Sequence, residues 1–368
     1  MSTIDDRTST ASRAGFLAIE LDGAGWNGTG FGSTEGFASL AEAVLTAESA
    51  GFHVATFADA PVAGRANALQ RAAYAGPVTR TIALVPEVDT VYTEPFHVST
   101  QLASLDYVSG GRAGWIATAA EFPETAASVG RENVSGSALA QEAAASIEVS
   151  RRLWDSWEDD AVIRDVATGR YIDADKLHYV DYETPAGFGA PYSVKGPSII
   201  PRPLQGQPPI LAPASIVGAG QVPADAVDAV LVTAPTPELL TAEIRDVRHR
   251  LGAAVAIVGE LDVVLDARGQ AAGERAAGPA SGRARYVGSA AGLVDFLEPL
   301  LAEADGVRLH PASLAVELEE LARLVLPELR RRGALRAPLQ DGTFRDLLGL
   351  PRPASRYAHP STTAAAGK

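Results

Sequence analysis

Residues Ala103 to Ala119 read ASLDYVSGGRAGWIATA, and the parsing of this stretch decides the fold. Its first half is helical in pattern, SGG is a turn, and RAGWIATA is a short apolar run. Two adjacent glycines end a helix and turn the chain tightly, because glycine enters the left-handed region with no Cβ to clash. The segment therefore reads as a helix feeding a strand through a minimal connection.

The same alternation continues in both directions. Toward the N-terminus, FLAIEL (Phe16 to Leu21), HVATFAD (His53 to Asp59) and TIALVPEV (Thr81 to Val88) read as strands. They are separated by helical patterns from about Phe37 to Gly51, from Asn67 to Tyr74 and from His97 to Val108. Toward the C-terminus a helix is expected over Ser137 to Trp154. Strands follow at PPILAPA (Pro208 to Ala214), AVDAVLVTA (Ala226 to Ala234), AVAIVGELDVVL (within Ala254 to Leu265) and GVRLHP (Gly306 to Pro311). Thr236 caps a further helix, Pro237 takes its first position, Leu240, Ile244, Val247 and Leu251 form its stripe, and Gly252 ends it. Helices are also expected from Ala290 to Ala304 and from a Ser313 cap onward, the latter kinked at Pro327.

Eight short strands, apolar at most positions and nearly all followed by helices, suit a parallel sheet buried on both faces. They predict an α/β fold, a (β/α)8 TIM barrel; an open doubly wound sheet usually stops at five or six strands. Residues 155–203 break the alternation and read as extended pieces inserted after the fourth helix. The expected organisation is a disordered N-terminus over 1–14, the barrel over 15–333 and a C-terminal tail, mostly loop, over 334–368. Residues 268–284 are low in complexity and read as a mobile loop.

A hydrophobic content of 46% supports a large core, while no apolar run approaches the roughly 20 residues of a membrane span. The opening MSTIDDRTSTASRAG has no signal-peptide pattern, so the expected location is cytoplasmic. The absence of cysteine excludes disulfides, zinc-thiolate sites and thiol nucleophiles. A formal net charge of −14 argues against nucleic acid as a partner. The one dense basic cluster, Arg330-Arg331-Arg332, ends a helix that starts with Glu317, Glu319 and Glu320, which suits the helix dipole. Gly23-Ala24-Gly25-Trp26-Asn27-Gly28 matches GxGxxG after a strand. Further glycines at Gly30 and Gly32 delay the next helix, and the acidic Asp59 lies beyond the usual spacing of about twenty residues, so a dinucleotide site is not expected. The stretch reads instead as a first loop at the barrel mouth, with Trp26 available to line a pocket.

Several segments together resemble one family. They are EPFHVSTQLASLDYVSGGRAGW, LWDSWEDDAVIRD, the run from ATGRY to DADKLHYVDY, YSVKGPSIIPRPLQGQPPI, LVLPELRRRG and LLGLPRPASRY. The chain is similar, from about Phe16 to Tyr357, to the luciferase-like FMN-dependent monooxygenases of the nitrilotriacetate and dibenzothiophene-sulfone type. The resemblance implies a (β/α)8 barrel with an insertion after its fourth helix. It also implies reduced FMN delivered by a separate NAD(P)H-dependent flavin reductase, O2 as co-substrate, a small organic substrate, and a homodimer as a possible assembly.

Carried over residue by residue, the resemblance places Asp59, ending the second strand, and Thr90, ending the third, against the flavin. Asp59 has an equal reading as a loop cap. Glu94 and His97 fall where the substrate pocket is lined, although His97 also suits a cap or a packing role. Ser215 is the candidate left for the phosphate after the fifth strand. At three further phosphate positions the chain departs from the family, with Ala120 in place of a serine and Gly136 and Ala140 in place of a histidine and a tyrosine. The long segment that the family carries after its seventh strand is also largely missing. The expected function is a flavin-dependent monooxygenase; the alternatives are a non-catalytic relative or partner subunit that has lost flavin, and a deazaflavin-dependent oxidoreductase.

Overall fold

The structure, a computed structural model, describes residues 14–22, 34–59, 66–218, 222–276 and 281–358. Eight strands form the barrel: β1 (Phe16–Glu20), β2 (Val54–Phe57), β3 (Ala83–Asp89), β4 (Trp115–Thr118), β5 (Ile210–Pro213), β6 (Ala229–Val232), β7 (Ala256–Leu265) and β8 (Gly306–Pro311). Every neighbouring pair is parallel, and β8 closes on β1 with Gly306 opposite Phe16. The strands begin and end within a few residues of where their apolar runs predict.

Alternation along each strand sends every second side chain inward. Phe16, Ala18, Val54, Val85, Ile116, Leu211 and Val258 fill the lower interior as one apolar cluster. The intervening residues, such as Leu17, Ile19, Ala55 and Leu84, pack outward under the helices. A sheet covered on both faces explains why the strands read as nearly continuous apolar runs.

The longer helices are α1 (Thr34–Ala50), α2 (Ala68–Ala75), α3 (Pro95–Ser109), α4 (Ser137–Asp155), α5 (Pro237–Leu251), α6 (Ala290–Glu303) and α7 (Leu314–Glu320), with shorter ones such as Pro123–Ser128 and Ala272–Arg275 between them. The connection from α3 into β4 follows the opening motif. Gly110 takes φ 69 and ψ 41 as the C-cap and Gly111 takes φ 85, with both amides donating to the carbonyl of Asp106. Gly114 must also be glycine, since a Cβ there would lie 2.5 Å from the Phe344 ring. Thr236 caps α5 by accepting from Leu239 N, as its sequence predicts.

Several expectations change. Ser313 occupies the N-cap of α7, but its hydroxyl makes no capping bond; Glu317 instead accepts from Ser313 N at 2.7 Å. The kink expected at Pro327 appears as a π-helical turn over Leu321–Val325 leading into the helix Leu326–Arg331. Proline has no N–H to donate, and a wider turn accommodates the interrupted ladder. Among the described residues no α-helix stands between β5 and β6: two short 3₁₀ turns, Ala214–Ile216 and Ala224–Ala226, occupy the connection. A ninth parallel strand, Ala284–Gly288, pairs with the far half of β7 outside the barrel, where the sequence reads as loop up to residue 284. The irregular region after α4 contains two small antiparallel pairs, Val162–Asp165 with Arg170–Ile172 and Tyr182–Glu183 with Ser193–Val194.

The segment beyond Gly333 folds back onto the barrel. His53 Nε2 donates to Arg336 O at 2.9 Å, and a short helix, Phe344–Leu348, drives Phe344, Leu347 and Leu348 into the apolar cluster of the lower interior. A capping box between Thr343 and Asp346 starts this helix, and Gly349 ends it at φ 72. The tail therefore closes the N-terminal end of the barrel. The expected GxGxxG stretch and Trp26 lie outside the described residues.

Candidate active site at the barrel mouth

Above the apolar layers the interior turns polar, because β1, β2, β3, β7 and β8 each aim a polar side chain inward at the same height. These are Glu20, Thr56, Glu87, Glu260 and Arg308. Arg308 is buried at their centre. It donates to Thr56 Oγ1 at 2.8 Å, to Glu260 Oε1 at 3.0 Å and to Glu87 Oε1 at 2.5 Å. His310 Nε2 meets the same Glu260 oxygen at 3.2 Å.

The electrostatics follow from this crowding. Burial alone would lower the Arg308 pKa, but the carboxylates of Glu87 and Glu260 outweigh it and hold the guanidinium charged. Burial would raise Glu260, yet the His310 hydrogen bond and the Arg308 charge bring it down to about 2. Burial and the Arg308 charge lower His310, so its ring is neutral and donates to Glu260. Glu20 is raised to about 8 by burial and then by its neighbour Asp22, so it holds a proton at neutral pH. The layer is a satisfied ionic floor beneath the mouth.

The rim is tied together strand by strand. Asp22, just past β1, accepts from Ala58 N at 2.6 Å and pairs with the buried Arg71 of α2, which also donates to Ala58 O. This fixes the start of the loop after β2, where Asp59 sits half-buried; residues 60–65 lie outside the described residues. Thr90 is buried, and its Oγ1 and backbone N both donate to Thr118 O at 2.9 Å. Its hydroxyl proton is thus committed to the β3–β4 junction, and it keeps only acceptor capacity toward a ligand.

Asp89 was not singled out by the sequence reading. It is the last residue of β3, and alternation from Ala83, Val85 and Glu87 turns it inward at the mouth. Its Oδ2 accepts from Val91 N at 3.1 Å and Tyr92 N at 2.6 Å, whereas its Oδ1 is buried with no hydrogen-bond partner. Burial, with the Asp59 charge adding to it, raises its pKa to about 6. Asp59 therefore stands close enough to Asp89 for the two carboxylates to feel each other. The signal for Asp89 was present as a period of two in ALVPEVD.

The remaining predicted residues divide. Glu94 is the N-cap of α3, accepting from Phe96 N at 3.1 Å and His97 N at 2.8 Å, and both Glu94 and His97 are exposed. Ser215 is exposed and lines a groove of about 370 Å³ with Thr233, Glu243 and Arg250. Ala120 follows β4, Gly136 sits at the N-cap of α4 at φ 62 with no capping side chain, and Ala140 is buried within α4. In the intervening loop Arg131 pairs with Glu142 at 2.6 Å and lies over the Tyr92 ring. No group of three or more potential metal ligands occurs among the described residues, and no helix among them is long and apolar enough to cross a membrane.

Comparison with known proteins agrees with this architecture. Residues 17–335 match the family model described as luciferase-like monooxygenase. Nitrilotriacetate monooxygenase component A of Aminobacter aminovorans is 28% identical over 77% of this chain and 79% of its own length. N-acetyl-S-(2-succino)cysteine monooxygenase of Bacillus subtilis is 39% identical, but over only 36% of this chain and 30% of its own length. Among solved structures, a long-chain alkane monooxygenase superposes with a TM-score of 0.75 at 19% identity, covering 92% of this chain and 95% of that one. The EDTA monooxygenase of Chelativorans sp. BNC1 gives 0.74 at 19% identity, covering 92% and 99%. With a family model spanning every strand of the barrel, the chain belongs to the luciferase-like monooxygenase family.

Proposed function

We propose that the protein is a flavin-dependent monooxygenase that takes reduced FMN from a separate NAD(P)H-dependent reductase and uses O2 to oxygenate a small organic substrate. The observation that carries this reading is the family match from residue 17 to 335, which runs through all eight strands that build the mouth. The resident group supplies the electrons that activate oxygen, and the protein binds, orients and shields it.

The residues present suit the ring of a flavin better than its phosphate. The mouth offers an unmet acceptor, Asp89 Oδ1, with Asp59 beside it and Thr90 limited to accepting. Positions 120, 136 and 140 carry no donor side chain, which leaves Ser215 as the phosphate candidate. In this reading Asp59 and Thr90 border the ring, while Trp26, Glu94 and His97 belong to the substrate side. The Arg308 layer and the Phe344 plug keep water from reaching the mouth through the barrel interior.

The bare phosphate positions favour one second reading, a relative that has lost flavin and serves as a partner subunit. Supplying the protein with reduced FMN from a reductase under air, and following product formation on amine, sulfone and carboxylate test substrates, separates the two. Oxygen-dependent product supports the monooxygenase. Its absence, with no stabilisation by FMN, supports the partner subunit; stabilisation by a deazaflavin alone supports that cofactor instead.

A further inference from the structure

Several carboxylates at the top of the barrel pair directly with cations. Asp22 pairs with Arg71, Glu87 and Glu260 with Arg308, and Asp262 with Arg283 at 2.8 Å. Asp89 departs from this pattern. Two backbone amides satisfy its Oδ2, and its Oδ1 is, among the described residues, the one buried carboxylate oxygen with no hydrogen-bond donor.

A buried charged acceptor without a donor is unfavourable, and native structures rarely keep one without a reason. Its position gives the reason a location: the inward face of the final residue of β3, at the end of the barrel where the βα loops converge. The turn Asp89–Tyr92 holds the side chain in one orientation, because the Val91 and Tyr92 amides grip Oδ2 and leave Oδ1 without a donor. The charges of Asp59 and of Arg131 act on this carboxylate in opposite directions.

We propose that Asp89 anchors the ligand of the mouth by accepting a hydrogen bond at Oδ1 from an N–H donor of the bound molecule. Two ligands carry that chemistry, the imide N–H of a flavin ring and the protonated amine of a substrate. The first source rests on the flavin reading above; the second does not. The assignment also gives the mouth a preference, since molecules offering only carboxylate or carbonyl oxygens find no partner at this atom.

The test uses the full chain and the variants Asp89→Asn and Asp89→Ala. In Asp89→Asn the amide oxygen takes over the Val91 and Tyr92 bonds, so the NH2 group lands where Oδ1 stood and donor faces donor. The turn survives, and a thermal melt checks that the fold does too. Lumiflavin and 3-methyl-lumiflavin, which lacks the imide N–H, are titrated by fluorescence; benzylammonium and benzyl alcohol are titrated by thermal shift. Loss of one charge-assisted bond weakens binding by about tenfold to a hundredfold. If the ring is the source, lumiflavin weakens by that amount in Asp89→Asn while 3-methyl-lumiflavin is already weak in the wild type and unchanged by the substitution. If the amine is the source, benzylammonium alone weakens. Equal binding of every probe by wild type and both variants overturns the assignment while leaving the flavin reading intact. A wild type that binds neither lumiflavin nor reduced FMN overturns the flavin reading, and the benzylammonium arm then decides Asp89 by itself.

Discussion

Arg308 on β8 reaches across the barrel interior to Glu87 on β3 at 2.5 Å, and the same guanidinium holds Glu260 on β7 at 3.0 Å. Three strands far apart in sequence are thereby cross-linked beneath the mouth. Removing the cation strands two carboxylates in a low-dielectric interior, which typically costs about 3–5 kcal/mol. Arg308→Met is expected to lower the unfolding free energy by roughly that amount in urea titration. The triple variant Arg308→Met, Glu87→Gln, Glu260→Gln should recover most of the loss, because no uncompensated charge remains.

The barrel was legible because its strands carry their own boundaries, while the ionic floor was not. Each relevant strand is an apolar run with a charged residue at an inward position: Glu20 in FLAIE, Glu87 in ALVPEVD, Glu260 in AIVGELDVVL and Arg308 in GVRLHP. A single sequence shows each interruption but not the shear that brings them to one height, so the cluster required the closed barrel. The tail helix was hidden for another reason. Five residues are too few for a periodic signal, and its stability comes from Phe344 entering the barrel and from a capping box. Thr90 was placed at the mouth by resemblance, but only the structure shows that its hydroxyl proton is already given to Thr118 O.

The plug makes a second prediction. Phe344 is buried against the lower interior and against Gly114, so Phe344→Ala leaves a cavity at the barrel base. A loss of about 3–5 kcal/mol is expected in equilibrium unfolding, with hydrogen exchange rising first in the Phe344–Leu348 segment.

His53 supplies a pH dependence. Its Nδ1 accepts from Leu17 N at 3.2 Å and its Nε2 donates to Arg336 O, so the buried ring is neutral. Burial, with the charges of Arg330 and Arg336, lowers its pKa to about 4. The unfolded chain therefore takes up this proton near pH 6.5, before the folded one does, and stability falls as pH drops from about 6.5 to about 4. The contribution is on the order of 3 kcal/mol across that window. His53→Gln should flatten the corresponding slope of unfolding free energy against pH; an unchanged slope would remove His53 as its cause.

Thr90→Val separates a structural threonine from a ligand donor. The substitution removes the hydroxyl bond to Thr118 O but keeps the backbone bond to the same oxygen. A destabilisation of about 1 kcal/mol in thermal unfolding is expected, with flavin affinity falling by no more than the worth of one accepted hydrogen bond. A marked loss of flavin affinity without loss of stability would instead place the hydroxyl against the ring.

The central claim is that the carboxyl ends of these eight strands hold a flavin ring. Anaerobic titration of the full chain with reduced FMN, followed by flavin fluorescence and calorimetry, tests it most directly. The account predicts saturable binding at one site per chain, lost on unfolding. Failure to saturate up to millimolar reduced FMN would contradict it.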